Sequence, residues 1–174
     1  MLVGLGLAYP FVVYAAMGRV PAGALALVAL ALIGARFGVL RGSAVGRALL
    51  PSVGGVAVVT ALLALIAAET AALAYPVLMS LGMAAAFGLS LWRGPPLVQI
   101  FAGEVEPEAA ARAYMRKVTW VWFIFLLGNA AISGMTAASG DLELWTLYNG
   151  LVSYGLMAAL FAAEYGVRRW VRSR

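Results

Sequence analysis

Side chains able to bind or to move a proton are scarce in this sequence, and the few that interrupt its apolar stretches fall at helical spacing. Trp122, Asn129, Ser133 and Thr136 are separated by seven, four and three positions, so a helix places them on one face. Asn149, Ser153 and Glu164 fall within roughly 60 degrees of one another at 100 degrees per residue. An asparagine in hydrocarbon must find partners, and the ordinary solution is interhelical hydrogen bonding worth about 0.6–2 kcal/mol per contact. The sharper alternative is that Asn129, Asn149 and Glu164 line a hydrated path or head-group site, since ionisable groups within membranes usually serve function. Glu164 also stands four residues before Arg168, the spacing of a surface ion pair.

A second pattern is an internal echo. Leu7-Ala8-Tyr9-Pro10 and Leu73-Ala74-Tyr75-Pro76 are identical, and Met17 and Met83 each follow the proline by seven positions. Proline has no amide hydrogen and frees a carbonyl one turn earlier, at Gly6 and at Ala72. In lipid a neighbouring helix or a substrate must supply the missing donor. The alternative is simple bending for packing. The candidate binding residues are therefore Asn129, Asn149, Ser133, Ser153, Tyr9, Tyr75 and Glu164.

Catalytic sets are missing. The chain has no cysteine and no histidine, which removes thiol nucleophiles, imidazole bases and most zinc, haem and iron-sulfur ligation. Asp141 is the single aspartate, so a two-aspartate protease is excluded, and a serine-lysine dyad would have to use Lys117 at a membrane edge. Glu104, Glu106 and Glu108 read as a solvated acidic face rather than a metal site. Glu69 and Glu164 are the remaining candidate general bases. We expect no enzyme, no cofactor and no bound metal.

The elements that hold these residues follow from composition. Hydrophobic residues make up 64% and charged residues 11% of the 174 positions, against about 25% charged in soluble chains. Six apolar runs approach the roughly 20 residues needed to cross a bilayer, at about 2–18, 20–40, 48–68, 70–91, 118–138 and 144–165. The predicted fold is all-α, a polytopic transmembrane bundle of six helices forming one domain. The first run is short enough to form a re-entrant hairpin with the second. No Lys or Arg precedes it and another span follows at once, which favours a membrane helix over a cleaved signal peptide. Arg36 is expected to snorkel from near the inner end of the second.

Arg36, Arg41, Arg47, Arg93, Arg112, Arg116, Lys117, Arg168, Arg169, Arg172 and Arg174 fall on one side of such a bundle. Arg19 falls on the other, with Glu69, Asp141 and Glu143. The positive-inside rule puts both termini in the cytoplasm. Spans one and four then run oppositely, as in the three-plus-three inverted repeat common among transporters. Basic residues in short groups between apolar runs suit anionic lipid rather than nucleic acid.

The cytoplasmic loop 92–117 ends in a predicted helix starting near Pro107, and its stretch Pro95, Pro96, Leu97, Val98, Ile100 and Phe101 reads as a membrane-surface patch or a solvated connector. A basic tail, 166–174, follows the last span. Gly34, Gly38, Gly42 and Gly46 recur every fourth residue and read as a close-packing face. Trp120, Trp122, Trp145, Tyr148 and Tyr165 read mostly as interfacial belt residues.

From Gly94 onward the text is more specific: Gly94-Pro95-Pro96-Leu97-Val98, Arg116-Lys117-Val118-Thr119-Trp120-Val121-Trp122, Asn129, and Leu144-Trp145-Thr146-Leu147-Tyr148-Asn149-Gly150-Leu151. With Tyr75-Pro76-Val77 and Phe87-Gly88-Leu89-Ser90-Leu91, this resembles a family of bacterial inner-membrane proteins encoded near fatty-acid-synthase-like genes, including those for aryl polyene pigments. The stretch from Trp120 to Asn149 is more distantly similar to intracellular septation protein A. The resemblance covers roughly the C-terminal 60% of the chain and implies cell-envelope biology, with no site residue carried over. Two functions fit. One is a transporter-like or lipid-handling protein with an amphiphilic substrate. The other is a scaffold recruiting biosynthetic or division enzymes through loop 92–117 and the basic tail. Expected partners are membrane lipids and a second copy or another membrane protein.

Overall fold

A computed structural model describes the backbone over residues 2–172 and the side chains over 6–169. The side chains of Arg172 and Arg174, part of the basic tail, lie outside the described residues. Every regular element among those described is helical: α1 (Leu2–Ala16), α2 (Ala22–Leu40), α3 (Ala44–Ile66), α4 (Ala68–Arg93), α5 (Leu97–Ala102), α6 (Ala109–Ala138), α7 (Leu142–Leu147) and α8 (Ser153–Arg172). A π-helical segment, Tyr148–Val152, joins α7 to α8 without a break.

Five of these units are long and apolar enough to cross a membrane: α2, α3, α4, α6 and the continuous stretch Leu142–Arg169. The chain is thus a multi-pass helical membrane protein. At 15 residues, α1 is about 22 Å long, short of the roughly 30 Å hydrocarbon core. Helix α6 has the opposite property. Its 30 residues run about 45 Å, because the predicted helix after Pro107 flows directly into the fifth apolar run. Pro10, Pro51 and Pro76 all sit inside helices that continue past them.

Helix α4 is the organising element, packed against α2, α3 and α6. One cluster joins Tyr9, Val13, Ile33, Val56, Tyr75 and Trp145, and a second joins Phe87, Leu97, Met115, Trp122 and Leu126. The small residues on α4 explain the closeness. A Cβ at Gly82 would meet Val56, and one at Gly88 would lie 2.9 Å from the ring of Phe123.

Three readings from the sequence are corrected here. The four-residue glycine period is not one packing face, because the helix ends within it. Gly34 and Gly38 face open space, and Gly42 turns the chain at φ +86°. Only Gly46 is tightly enclosed, with the carbonyl of Leu40 where a Cβ would stand. Gly46→Ala is expected to cost about 1–3 kcal/mol, read as a lowered Tm in detergent, while Gly38→Ala leaves Tm unchanged or higher.

The second correction concerns loop 92–117. Its apolar patch is divided: Pro96, Leu97 and Val98, with Gln99, are buried in helix α5 and its cap against the second cluster, whereas Pro95 and Phe101 stay exposed. Ser90 Oγ accepts from the Leu97 amide at 3.0 Å and Thr119 Oγ1 from the Val98 amide at 3.4 Å, satisfying two first-turn donors. The remainder, Glu104, Glu106 and Glu108, is exposed. The third concerns the aromatics. Trp122, Trp145 and Tyr148 are core residues, Trp145 only 1% exposed, whereas Trp120 and Tyr165 face outward. Trp145 is held inside because its ring fills the junction of α1, α4 and α7 and its indole Nε1 donates to the carbonyl of Leu73 at 3.2 Å.

Candidate functional site

A cavity of about 410 Å³ lies between α1, α4, α6 and the last helix. Small-molecule sites span roughly 300–1,000 Å³. Residues of both α4 and α8 line it, so the wall can be followed along either. At one end stand Tyr9, Pro10, Tyr75, Pro76, Arg36 and Tyr154. The middle is made of Met79, Ser80, Met83, Leu126, Asn129 and Met157, and then of Phe87, Trp122 and Phe161. Val98, Phe101 and Ala102 of α5 close the far end beside Glu164 and Arg168.

The two Leu-Ala-Tyr-Pro motifs meet here. The rings of Tyr9 and Tyr75 lie 4.5 Å apart at 58°, and both prolines line the cavity. The carbonyl that Pro76 frees at Ala72 receives the hydroxyl of Tyr9 at 2.9 Å, so the second motif is completed by the tyrosine of the first. The neighbouring carbonyl of Leu73 takes the indole of Trp145. The second tyrosine acts differently: the Tyr75 hydroxyl accepts from Arg36 Nη1 at 2.6 Å. The methionines do not match either, because Met83 lines the cavity and Met17 does not.

Arg36 is the residue the sequence misassigned. It sits one turn before the end of α2, the position from which an arginine reaches interfacial water. A helical side chain leans toward the N-terminus of its helix, however, and this one follows that lean into the bundle. Nη1 also contacts Met79 Sδ at 3.2 Å, and the guanidinium lies 5.9 Å from the centre of the Tyr75 ring. Gly6 makes room for it. A Cβ at that position would lie 2.9 Å from Arg36 Nη2 and 3.6 Å from the Tyr154 hydroxyl.

Of the candidates read from the sequence, Tyr9, Tyr75, Asn129, Asn149, Ser153 and Glu164 line the cavity, and Ser133 stands one bond behind it. The asparagines are nevertheless engaged by protein. Asn129 donates to Ser80 Oγ at 2.9 Å and accepts from the Tyr148 hydroxyl at 3.0 Å, tying α6 to α4 and to the π segment. Asn149 accepts from Ser133 Oγ at 2.6 Å and donates to the Trp145 carbonyl at 2.9 Å. Both act on the wall as girders; the other polar side chains lining the cavity include Arg36, Ser153, Tyr154, Glu164 and Arg168. Arg36 and Tyr154 were missed because neither is distinguished by spacing. Asn129→Leu orphans the buried Tyr148 hydroxyl and is expected to cost about 1–3 kcal/mol in detergent unfolding. Adding Tyr148→Phe should recover part of that loss.

Glu69, the other candidate base, is exposed, and among the described residues no group of three acidic side chains is gathered to hold a metal. Comparison with known proteins finds no family model, curated protein or solved structure that matches this chain.

Proposed function

We propose that the chain is a small, non-enzymatic protein of the bacterial inner membrane that binds an amphiphile between its helices and moves or presents it during cell-envelope biogenesis. The cavity carries this reading. Its middle is lined by methionine, leucine and aromatic side chains, and its two ends by charged and phenolic groups, the polarity sequence of an amphiphile. Six crossings with both termini in the cytoplasm accord with the arginine distribution, with α1 as the short first crossing. A three-plus-three inverted repeat accords with the meeting of the two Leu-Ala-Tyr-Pro motifs at one cavity. The resemblance to inner-membrane proteins encoded near fatty-acid-synthase-like genes adds the envelope context.

Cysteine accessibility tests it, helped by a chain without native cysteine. Single cysteines at Ser80, Met83, Met157 and Phe161 are expected to react with a small water-soluble maleimide and to be protected by added amphiphile. Cysteines at Thr60 and Thr119, buried outside the cavity, should not react. Uniform protection at all six would count against a hydrated site.

The scaffold reading keeps one support, the exposed acidic stretch of loop 92–117. Because α5 of that loop also closes the cavity, replacing all of 92–117 would damage either function. Substituting only 104–108 with glycine and serine separates them: a scaffold loses its recruitment, and an amphiphile-binding protein keeps its ligand.

A further inference from the structure

The cavity's two ends are chemically unequal. At the mouth closed by α5, Glu164 and Arg168 bring opposite charges one helical turn apart. At the inner end Arg36 stands with tyrosines only. Its hydrogen bonds run to the Tyr75 hydroxyl and to the Met79 sulfur, and among the described residues it donates to no carboxylate. Neither acceptor carries a negative charge, so the guanidinium is left without a counter-ion inside a mostly apolar space. Such a charge is costly in a membrane interior unless an anion or water meets it. Arginine suits carboxylate and phosphate oxygens because its planar fork donates two parallel bonds. Here Nη1 is already committed, while Nη2 and the Tyr154 hydroxyl, a second donor for the same anion, both lie beside Gly6.

The space beyond Arg36 limits what the anion can be attached to. Tyr75 and Phe87 are twelve residues apart on α4, about 18 Å of helix, so the cavity is elongated along α4. An extended alkyl chain fits that shape. Flexible methionine walls, Met79, Met83 and Met157, adapt to such a chain without a fixed shape.

We infer that the cavity takes an amphiphile with an anionic head, the head held by Arg36 and Tyr154 and a chain running past Met83 toward Trp122. This rests on the amphiphile-binding reading above and narrows it to one sign of head-group charge. Carboxylate and phosphate monoester heads share the required chemistry.

Bromine quenching of tryptophan fluorescence tests it, since Trp122 lies on the chain's path. The full-length protein, in bilayer discs of zwitterionic phosphatidylcholine, is titrated with dibrominated stearate, with the dibrominated alcohol of equal length, and with a brominated lysophosphatidate. The Trp122→Phe protein gives the background from the other tryptophans. At least one anionic probe is expected to quench at about 10- to 100-fold lower concentration than the alcohol, the ratio expected of a charge-assisted hydrogen bond. The better of the two identifies the head. Arg36→Gln should erase the preference and Arg36→Lys should keep part of it, with helicity measured on both to confirm folding. If acid, lysolipid and alcohol quench alike in the native protein, or if folded Arg36→Gln keeps the preference, the anionic-head inference is overturned while the apolar slot survives. If none of the three quenches Trp122, the amphiphile-binding reading falls with it. Displacement of the bound probe by inorganic phosphate at equal concentration would show a site for free anions and overturn the inference as well.

Discussion

Trp145→Ala is expected to lower the stability of the folded protein by about 3–5 kcal/mol, enough to abolish recovery of a monodisperse species from detergent. The side chain is the largest of those fully buried, so its removal leaves a void where α1, α4 and α7 join. It also leaves the carbonyl of Leu73, three residues before Pro76 on α4, without its indole donor. Trp145→Phe separates the two contributions. Phenylalanine fills most of the void but cannot donate, so about 1–2 kcal/mol of loss should remain. An interfacial tryptophan would behave otherwise, with either substitution costing little. Unfolding by a denaturing detergent titrated into a mild one, followed by far-ultraviolet circular dichroism, ranks the three proteins.

The second large effect is a coupling rather than a single loss. Tyr9→Phe removes the donor to the Ala72 carbonyl, and because Tyr9 is buried the cost should be about 1–3 kcal/mol. Pro76→Ala changes the reason the donor is needed. Alanine restores an amide at position 76 that can reach the same carbonyl through the helix itself. In that background Tyr9→Phe should therefore cost about 1 kcal/mol less, a positive coupling between residues on different helices. Strict additivity in the same titration would mean that the tyrosine does not serve the proline's carbonyl.

That coupling was partly legible in the sequence, because the rule is local: a proline inside a helix frees the carbonyl four residues back, and hydrocarbon offers no substitute donor. The sequence named Ala72 as needing a partner, and its identity, Tyr9, required the fold. The polar faces of α6 and of the last helix were legible for the same reason, since helical periodicity is built into the chain. What sequence could not assign was which of two environments an amphipathic side chain would choose. Arg36, Trp145 and Tyr148 each have an apolar body and a polar tip, and a position near a helix end suits either water or a neighbour's carbonyl. The choice was made by partners on other helices: the Leu73 carbonyl for Trp145, the Tyr75 hydroxyl for Arg36 and the Asn129 side chain for Tyr148. Helix α5 was obscure on similar grounds. Six residues carry too little periodicity to say which side they bury, and the anchoring hydroxyls, Ser90 and Thr119, come from two different helices.

One stretch of backbone has a mechanical consequence. The segment Tyr148–Val152 holds one residue more per closed ring than the coil on either side. Tightening that ring to the ordinary winding would let everything downstream swivel by about one residue's angle, near 100 degrees, at the expense of the bonds that Tyr148 and Asn149 make to α6. Trp145 would stay clamped upstream, while Met157, Phe161, Glu164 and Arg168 turned off the slot as a single rigid rod. A groove sealed on one flank would then lie open sideways to the surrounding lipid, through the rewinding of a single helical turn.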